Sequence, residues 1–383
     1  MTNTSSSTTR LPNLIDGEDL LRLVATAARA LSEMTLPGDP VYPRVVQQAL
    51  NHVSLACVLR GDPGPVSVPD LMSWAARKPL REWLFDIPDD AVDSDGTLVD
   101  SETMMPTQQC LEWVVSATDV VAEQIENKWL FEAMRACELA ESPLAYTAFR
   151  RTLIEKPVMT GRQQRALLDN DDLDPTREIL TQCYLPASAA LSVKGAFATC
   201  RRCGCLLVPL NSGRYRCELD RCRRHPVEVG HLLDGSRDGG VLQLLRPLRM
   251  FITGPGLAEV DLERSLRAPG RDLSPQMWPE YDTYDLRFVV GAIVWAIDVK
   301  DHANPALLGR NAKPFRRRPA YDRAALVVPY YRFQDREDYK RVFIRNLNPS
   351  AGQITLLSDR ELLAVVDRQL ASVTASMTGE RRA

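Results

Sequence analysis

No run of apolar residues in this 383-residue chain is long enough to cross a bilayer: the longest, 288–297, is about half of the roughly 20 residues that a spanning helix needs. The Ser- and Thr-rich start also lacks the apolar segment of an export signal. A membrane-spanning or secreted protein is thereby set aside, and a cytoplasmic one with no membrane partner is expected. An excess of charge of one sign is lacking too. With 47 Lys and Arg against 50 Asp and Glu the net charge is −3, so affinity for nucleic acid has to come from local basic patches. The first half of the chain shows no glycine-rich phosphate loop, no activated nucleophile and no paired carboxylates. What remains is ordinary for a globular protein: 45% hydrophobic residues, 25% charged, and a length that suits two or three domains.

Residues 1–11 read as a disordered tail. From Asp16 the pattern turns helical, with Leu20, Leu21, Leu23 and Val24 recurring with Ala27, Ala28 and Leu31 until Leu36-Pro37-Gly38 breaks it. Further helices are expected over 42–58, over 67–83 with Ser67 as cap, over 107–139 as one helix or two, over 146–154 and over 174–185, with an acidic loop at 86–100. Residues 12–195 therefore read as an all-α region with almost no strand signal, a scaffold or docking domain.

Nine cysteines are present, five of them between Cys200 and Cys222, an arrangement that suits metal binding in a reducing interior. Cys200 and Cys203 are followed, after thirteen intervening residues, by Cys217 and, after four more, by Cys222. Two short loops each turn two thiolates toward one point, and four sulfurs at about 2.3 Å suit tetrahedral Zn²⁺. The spacing resembles the four-cysteine fingers of bacterial DNA ligases and type I topoisomerases. Cys205 and His225 compete as ligands but are worse placed: two residues after Cys203 a strand would turn Cys205 away, and His225 lies beyond Cys222. The ribbon is expected over 196–230. Between Cys200 and Arg224 it carries Arg201, Arg202, Arg214, Arg216, Arg221, Arg223 and Arg224 against Glu218 and Asp220, so Arg201, Arg202, Arg223 and Arg224 are candidate phosphate contacts. A purely structural staple is the competing reading. A glycine- and aspartate-rich linker at 231–240 then marks a domain boundary.

The stretch 284–300 reads as two β-branched, aromatic-rich strands meeting at Gly291-Ala292. If those two residues make the turn, Val290 faces Ile293, Asp285 faces Asp298, and Lys300 shares their side of the sheet while Ile297 and Val299 face the other. Two opposed carboxylates repel, and a divalent cation between them turns repulsion into binding. Asp285 followed by Asp298-Val299-Lys300 resembles the PD-(D/E)xK signature of the restriction-endonuclease-like superfamily. Around it the expected order over 241–375 is a helix at 257–266 carrying Glu259 and Glu263, a strand at 273–278, the hairpin, a short helix capped by Asn304, a strand at 324–329, a helix at 335–344, and a last helix opened by the capping box Ser358-Asp359-Arg360-Glu361. That is an αβββαβ core, and the whole an α+β multidomain chain. Lys313, Arg316, Arg317 and Arg318, just after the motif, are a second candidate grip on a phosphate backbone, or a solubilising loop.

The combination of a helical first half, the segment Tyr146-Thr-Ala-Phe-Arg-Arg-Thr-Leu-Ile-Glu-Lys-Pro157, an Arg-rich ribbon and Trp295-Ala-Ile-Asp-Val-Lys-Asp301 resembles the endonuclease-like proteins encoded beside prokaryotic PIWI-RE (pPIWI-RE) proteins. The resemblance implies a Mg²⁺-dependent endonuclease of antiviral or anti-plasmid defence, cutting DNA or an RNA–DNA hybrid together with a PIWI-like protein and a helicase. It implies that Asp285 and Asp298, with Glu259 or Glu263, hold Mg²⁺ and that Lys300 acts beside it. Asp282 lies near enough to Asp285 to compete for the first ligand position. An inactive nucleic-acid-binding adaptor and a structural subunit are the alternatives from other classes.

Overall fold

The computed structural model describes residues 17–34, 42–83, 85, 87, 90, 95–115 and 120–380, and the chain divides into two compact units, Met1–Thr118 and Asp119–Ala383. The expected tail, the break at Leu36-Pro37-Gly38 and much of the acidic loop lie outside the described residues.

The first unit contains α1 (Gly17–Ser32), α2 (Arg44–Leu59), α3 (Val68–Arg77) and α4 (Gln108–Val115). Each buries the stripe its spacing dictates: Leu20, Leu21, Val24 and Ala28 on α1, and Val46, Ala49, Val53 and Ala56 on α2. Ser67 caps α3, its hydroxyl accepting the Asp70 amide proton at 3.2 Å. The helix expected to reach residue 83 stops at Arg77, because Lys78 precedes a proline and is held extended. The rings of Trp74, Trp83 and Phe85 cluster where it ends, tilted or edge to face.

The second unit opens with α5 (Val120–Leu139) and α6 (Pro143–Glu155), followed by β1 (Val158–Thr160), α7 (Gly161–Leu168), α8 (Arg177–Gln182) and β2 (Tyr184–Pro186). Two expectations need correction here. The span 12–195 is not all helical: β1 and β2 flank β8 (Val241–Leu244), both antiparallel to it. Three-residue strands are too short to show an alternating pattern, which is why the sequence hid them. The helix expected over 174–185 likewise ends at Gln182, since Leu185 is extended before Pro186.

The ribbon region holds β3 (Ser192–Val193), β4 (Ala196–Cys200), β5 (Val208–Pro209), β6 (Tyr215–Arg216), α9 (Asp220–Arg223) and β7 (Val229–Asp234). The stretch 231–240 is not a linker. His231 to Asp234 belong to β7, which pairs with β4 from Ala196↔Asp234 onward, and in the turn that follows the Gly240 and Asp238 carbonyls accept the Gly161 and Arg162 amide protons at 3.1 and 2.7 Å. Because β7 is exposed along nearly its whole length, its residues carry no apolar alternation to announce a strand.

After α10 (Arg246–Leu248) come α11 (Gly254–Arg267), β9 (Gln276–Met277), the turn α12 (Pro279–Asp282), β10 (Leu286–Val290), β11 (Ile293–Val299), α13 (Pro305–Asn311) and β12 (Arg323–Val328). Then follow α14 (Tyr330–Asp335), α15 (Tyr339–Arg345), β13 (Leu356–Ser358) and α16 (Asp359–Glu380). The strands form one sheet, β13-β12-β11-β10-β9, with the hairpin side antiparallel and β11, β12 and β13 parallel. Ser358 and Glu361 make the reciprocal capping bonds expected of them. Leu286, Phe288, Val290, Trp295, Ile297 and Val299 line one face and pack with α6, α11 and α16, while Leu326 and Val328 look the other way onto α13 and α15. The second face is covered at β12 but open along the hairpin, where Arg287 is part-exposed and Val289 is 46% exposed.

Candidate active site and metal centre

The hairpin turns at Gly291-Ala292, with Val290 opposite Ile293 and Leu286 opposite Ile297. Gly291 has φ +61°, and a Cβ there would stand 2.7 Å from Val373 on α16, so the turn requires glycine twice over. One step past Leu286 the ladder becomes irregular: the Asp285 amide donates to the Ile297 carbonyl at 3.0 Å, and the Asp285 carboxylate accepts the Val299 amide proton at 2.6 Å. Asp285 and Asp298 share a hydrogen bond. Lys300 Nζ contacts the Asp298 carboxylate and lies 3.8 Å from Asp285 Oδ2. The three side chains expected to converge are therefore brought together, at the open end of the sheet: the Lys300 side chain is 42% exposed, that of Asp298 31%, that of Asp285 only 4%.

Burial pushes the Asp298 carboxyl up, and the neighbouring Asp285 charge pushes it further. Burial acts on Asp285 as well, but Lys300, Arg150 and the hydrogen bonds from Asp298 and Val299 outweigh it and hold that carboxyl below its usual range. The pair thus divides its labour, with Asp298 keeping the proton and donating it to Asp285. Lys300 is held above the usual ammonium range by the two carboxylates despite burial, so it stays charged.

The sequence reading missed Arg150. Its guanidinium, on α6 and 8% exposed, lies 3.0 and 3.1 Å from the two Glu259 oxygens and 3.5 Å from Asp285 Oδ1, contacts Asp282, and sits over the Trp278 ring. A signal existed. Tyr146, Phe149, Arg150 and Leu153 follow the 3–4 spacing of one helix face, so a charged residue sits on an apolar stripe. Glu259 also accepts the Trp278 indole proton, and burial raises its carboxyl even though Arg150 opposes the shift. Glu263 is turned elsewhere, onto Arg151 at 2.8 Å and Arg267 at 3.1 Å. Asp282 lies in the turn before β10 and not on the strand itself. Trp278, Glu280, Tyr281 and Asp282 all have positive φ, and the left-handed turn they make brings Asp282 to Arg150 and within 3.3 Å of the Tyr146 hydroxyl.

The ligand atoms of Cys200, Cys203, Cys217 and Cys222 all lie within 4.8 Å of one another, and all four residues are buried. Cys205 is buried but outside that group, and His225 is exposed. Hydrogen bonds from the other three hold the Cys200 thiol low, and the same contacts push Cys203, Cys217 and Cys222 up. Four clustered thiols that yield one easy ionisation are the donor set that a thiophilic cation completes. The acidic site is of another kind. It offers two carboxylates, Asp285 and Asp298, with Glu259 occupied by Arg150 and Trp278. That fits a hard cation such as Mg²⁺, which takes one or two carboxylates and fills its remaining positions with water and phosphate oxygens.

The arginines of the ribbon do not all project. Arg223 donates to the carbonyls of Cys217 and Glu218, Arg224 contacts Asp335 and stacks on Tyr331, and Arg221 binds Asp261. Arg201 and Arg202 stay at the surface but share Glu228, a counter-charge four residues beyond Arg224. Lys313, Arg316, Arg317 and Arg318 are exposed as a group.

Residues 20–160 match the family model described as pPIWI_RE three-gene island domain Y, and residues 256–373 match the model for the REase associating with pPIWI_RE. No curated protein and no solved structure matches the chain. Arg150 lies in the first matched stretch, and its partners Glu259, Asp282 and Asp285 lie in the second.

Proposed function

The chain belongs to the REase-like proteins of the pPIWI-RE three-gene islands, and from that premise we propose that it is a Mg²⁺-dependent nuclease of prokaryotic defence, hydrolysing phosphodiester bonds of DNA or of an RNA–DNA hybrid alongside a PIWI-like protein and a helicase. The observation that carries the reading is the meeting of Asp285, Asp298 and Lys300 at one end of the sheet, with Lys300 open to solvent on one side and 3.8 Å from Asp285 on the other. Asp285 and Asp298 are the cation's protein ligands. Mg²⁺, when bound, supplies a water of lowered pKa and offsets charge on the phosphorus.

The chain's own residues do the rest. Asp298 must give up the proton it shares with Asp285 before both carboxylates can bind a cation. Lys300 presents a fixed positive charge to the phosphate and to the attacking oxygen, where it stabilises charge that grows in the transition state. Arg150 neutralises Glu259 and Asp282, so that four carboxylates around one site do not drive it apart. The exposed cluster Lys313, Arg316, Arg317 and Arg318 grips the backbone of the substrate, with the surface arginines Arg201 and Arg202 as a second contact. The four-cysteine group holds Zn²⁺ as a structural ion.

The test is cleavage of duplex DNA and of RNA–DNA hybrid by the purified chain with Mg²⁺, alone and with the PIWI-like protein and the helicase. Metal-dependent cutting that Lys300→Ala abolishes is the expected result. No cutting under any of these conditions would leave a nucleic-acid-binding subunit, a reading favoured by the guanidinium that Arg150 already commits to the acidic residues.

A further inference from the structure

The loop between Cys217 and Cys222 has four residues, and every one of them is committed to the body that carries the acidic site. Glu218 binds Arg249 in the turn that leads into α11, Arg249 Nη2 standing 3.1 Å from Glu218 Oε2. Leu219 is buried against the start of α11, where a Cβ on Gly254 would lie 3.4 Å from its Cδ2. Asp220 accepts Arg332 Nη1 at 2.7 Å. Arg221 Nη2 donates to Asp261 on α11 at 2.7 Å.

Two of these contacts lead to the site. Arg332 is 2% exposed, and its Nε donates at 2.7 Å to Asp301, the residue after Lys300, whose other carboxylate oxygen accepts the Tyr331 hydroxyl. Asp261 stands two residues beyond Glu259 on the same helix. A loop whose two ends are metal ligands thus fixes the far end of β11 through Arg332 and the helix of Glu259 through Arg221. A staple that closed only its own ribbon would not need its loop residues paired with, or packed on, a neighbour. Leaving the buried Arg332 without a carboxylate would be strongly destabilising, so the Asp220–Arg332–Asp301 link holds only while the loop keeps its shape; Arg221–Asp261 is the more exposed of the two links.

We propose that the cysteine knuckle is a positioning element for the acidic site: Zn²⁺ closes the Cys217–Cys222 loop, and the closed loop sets α11 through Arg221–Asp261 and the Asp298–Lys300 end of β11 through Asp220–Arg332–Asp301. Arg332 and Arg221 are positioning residues, acting through Asp301 and Asp261. Zinc occupancy and divalent-cation occupancy at Asp285 and Asp298 are then coupled, and the coupling is reciprocal. This second half rests on the nuclease reading above; the first half does not.

The experiment is amide hydrogen exchange on the full chain, zinc-loaded and after chelation, with Mn²⁺ titrated as a probe of the acidic site. Chelation is expected to speed exchange by about tenfold in 257–263 and 299–301 as well as in the ribbon, and to leave α1 unchanged. Arg332→Gln, which keeps all four cysteines and one zinc, reproduces the change at 299–301 but not at 257–263; Arg221→Gln does the reverse. Mn²⁺ affinity falls about tenfold on chelation, and bound Mn²⁺ slows zinc loss in return. Faster exchange confined to 196–230 after chelation would overturn the proposal. Should the zinc-free chain fail to fold, the two arginine variants decide, and exchange like that of the parent in both would overturn it. Absence of Mn²⁺ binding in every form would instead remove the nuclease reading, with the positioning role upheld or overturned by exchange alone.

Discussion

Asp285 and Asp298 show how one pair of identical side chains is driven apart by its surroundings. Asp285 receives an amide proton, a shared proton and the fields of Lys300 and Arg150, and its carboxyl falls; at Asp298 burial and the negative Asp285 outweigh the Lys300 ammonium, and its carboxyl is pushed up to about 7. A carboxyl raised in the fold binds a proton that the unfolded chain has lost, so stability with respect to Asp298 declines as pH rises from about 4 to about 7. Asp298→Asn keeps the shape and the donated hydrogen bond but removes that titration. It should therefore melt a few degrees above the parent at pH 8, with the difference closing toward pH 4; thermal melts across that range check it, and a variant that loses stability at pH 8 would contradict it. Arg150 is the opposite case, a single cation serving Glu259, Asp282 and Asp285. Arg150→Met leaves buried carboxylates without a counter-charge and should cost about 3–5 kcal/mol in denaturant unfolding. Cost within about 0.5 kcal/mol would mean that Glu259 takes up a proton easily enough to do without it.

Elements were legible where their residues announced a face. The hairpin register was readable from Gly291-Ala292 and an apolar alternation that returns at Phe288, Val290, Trp295 and Ile297, all of which the sheet buries on one side or folds into the same core. The same alternation makes a prediction: Ile297→Asp puts a charge into that core opposite Leu286 and should cost about 4 kcal/mol or more, seen as loss of the cooperative transition, whereas an unperturbed melt would contradict the assigned face. Capping signals were equally readable, since Ser67, Asn304 and Ser358 each bind amides within three residues. What escaped reading has a physical reason in each case. β7 is solvent-exposed, so nothing in its side chains alternates; β1 and β2 are three residues long; and the left-handed turn from Trp278 to Asp282 contains only one residue type, Asp, that tolerates such a backbone with any ease. Arg150 meets Glu259 across 109 positions of chain, a separation for which no local pattern exists.

At the scale of the whole molecule, the stretches matched by two different family models are tied to each other inside the second unit, because α6 at the end of the first match supplies the guanidinium on which the acidic side chains of the second converge. The residues between them, 161–255, are covered by neither match, and they hold the four-cysteine group. No described helix is long and apolar enough to cross a membrane. The proposed chemistry depends on the pairing of two carboxylates at one end of a sheet, and divalent-cation binding tests that pairing most directly. In a calorimetric titration of Mn²⁺ into the zinc-loaded chain, Asp298→Ala should weaken binding by about tenfold or more, while Lys300→Ala, which removes a competing cation, should bind at least as tightly as the parent. Parent-like binding by Asp298→Ala, or loss of binding in Lys300→Ala with the fold intact, would contradict the shared-cation site.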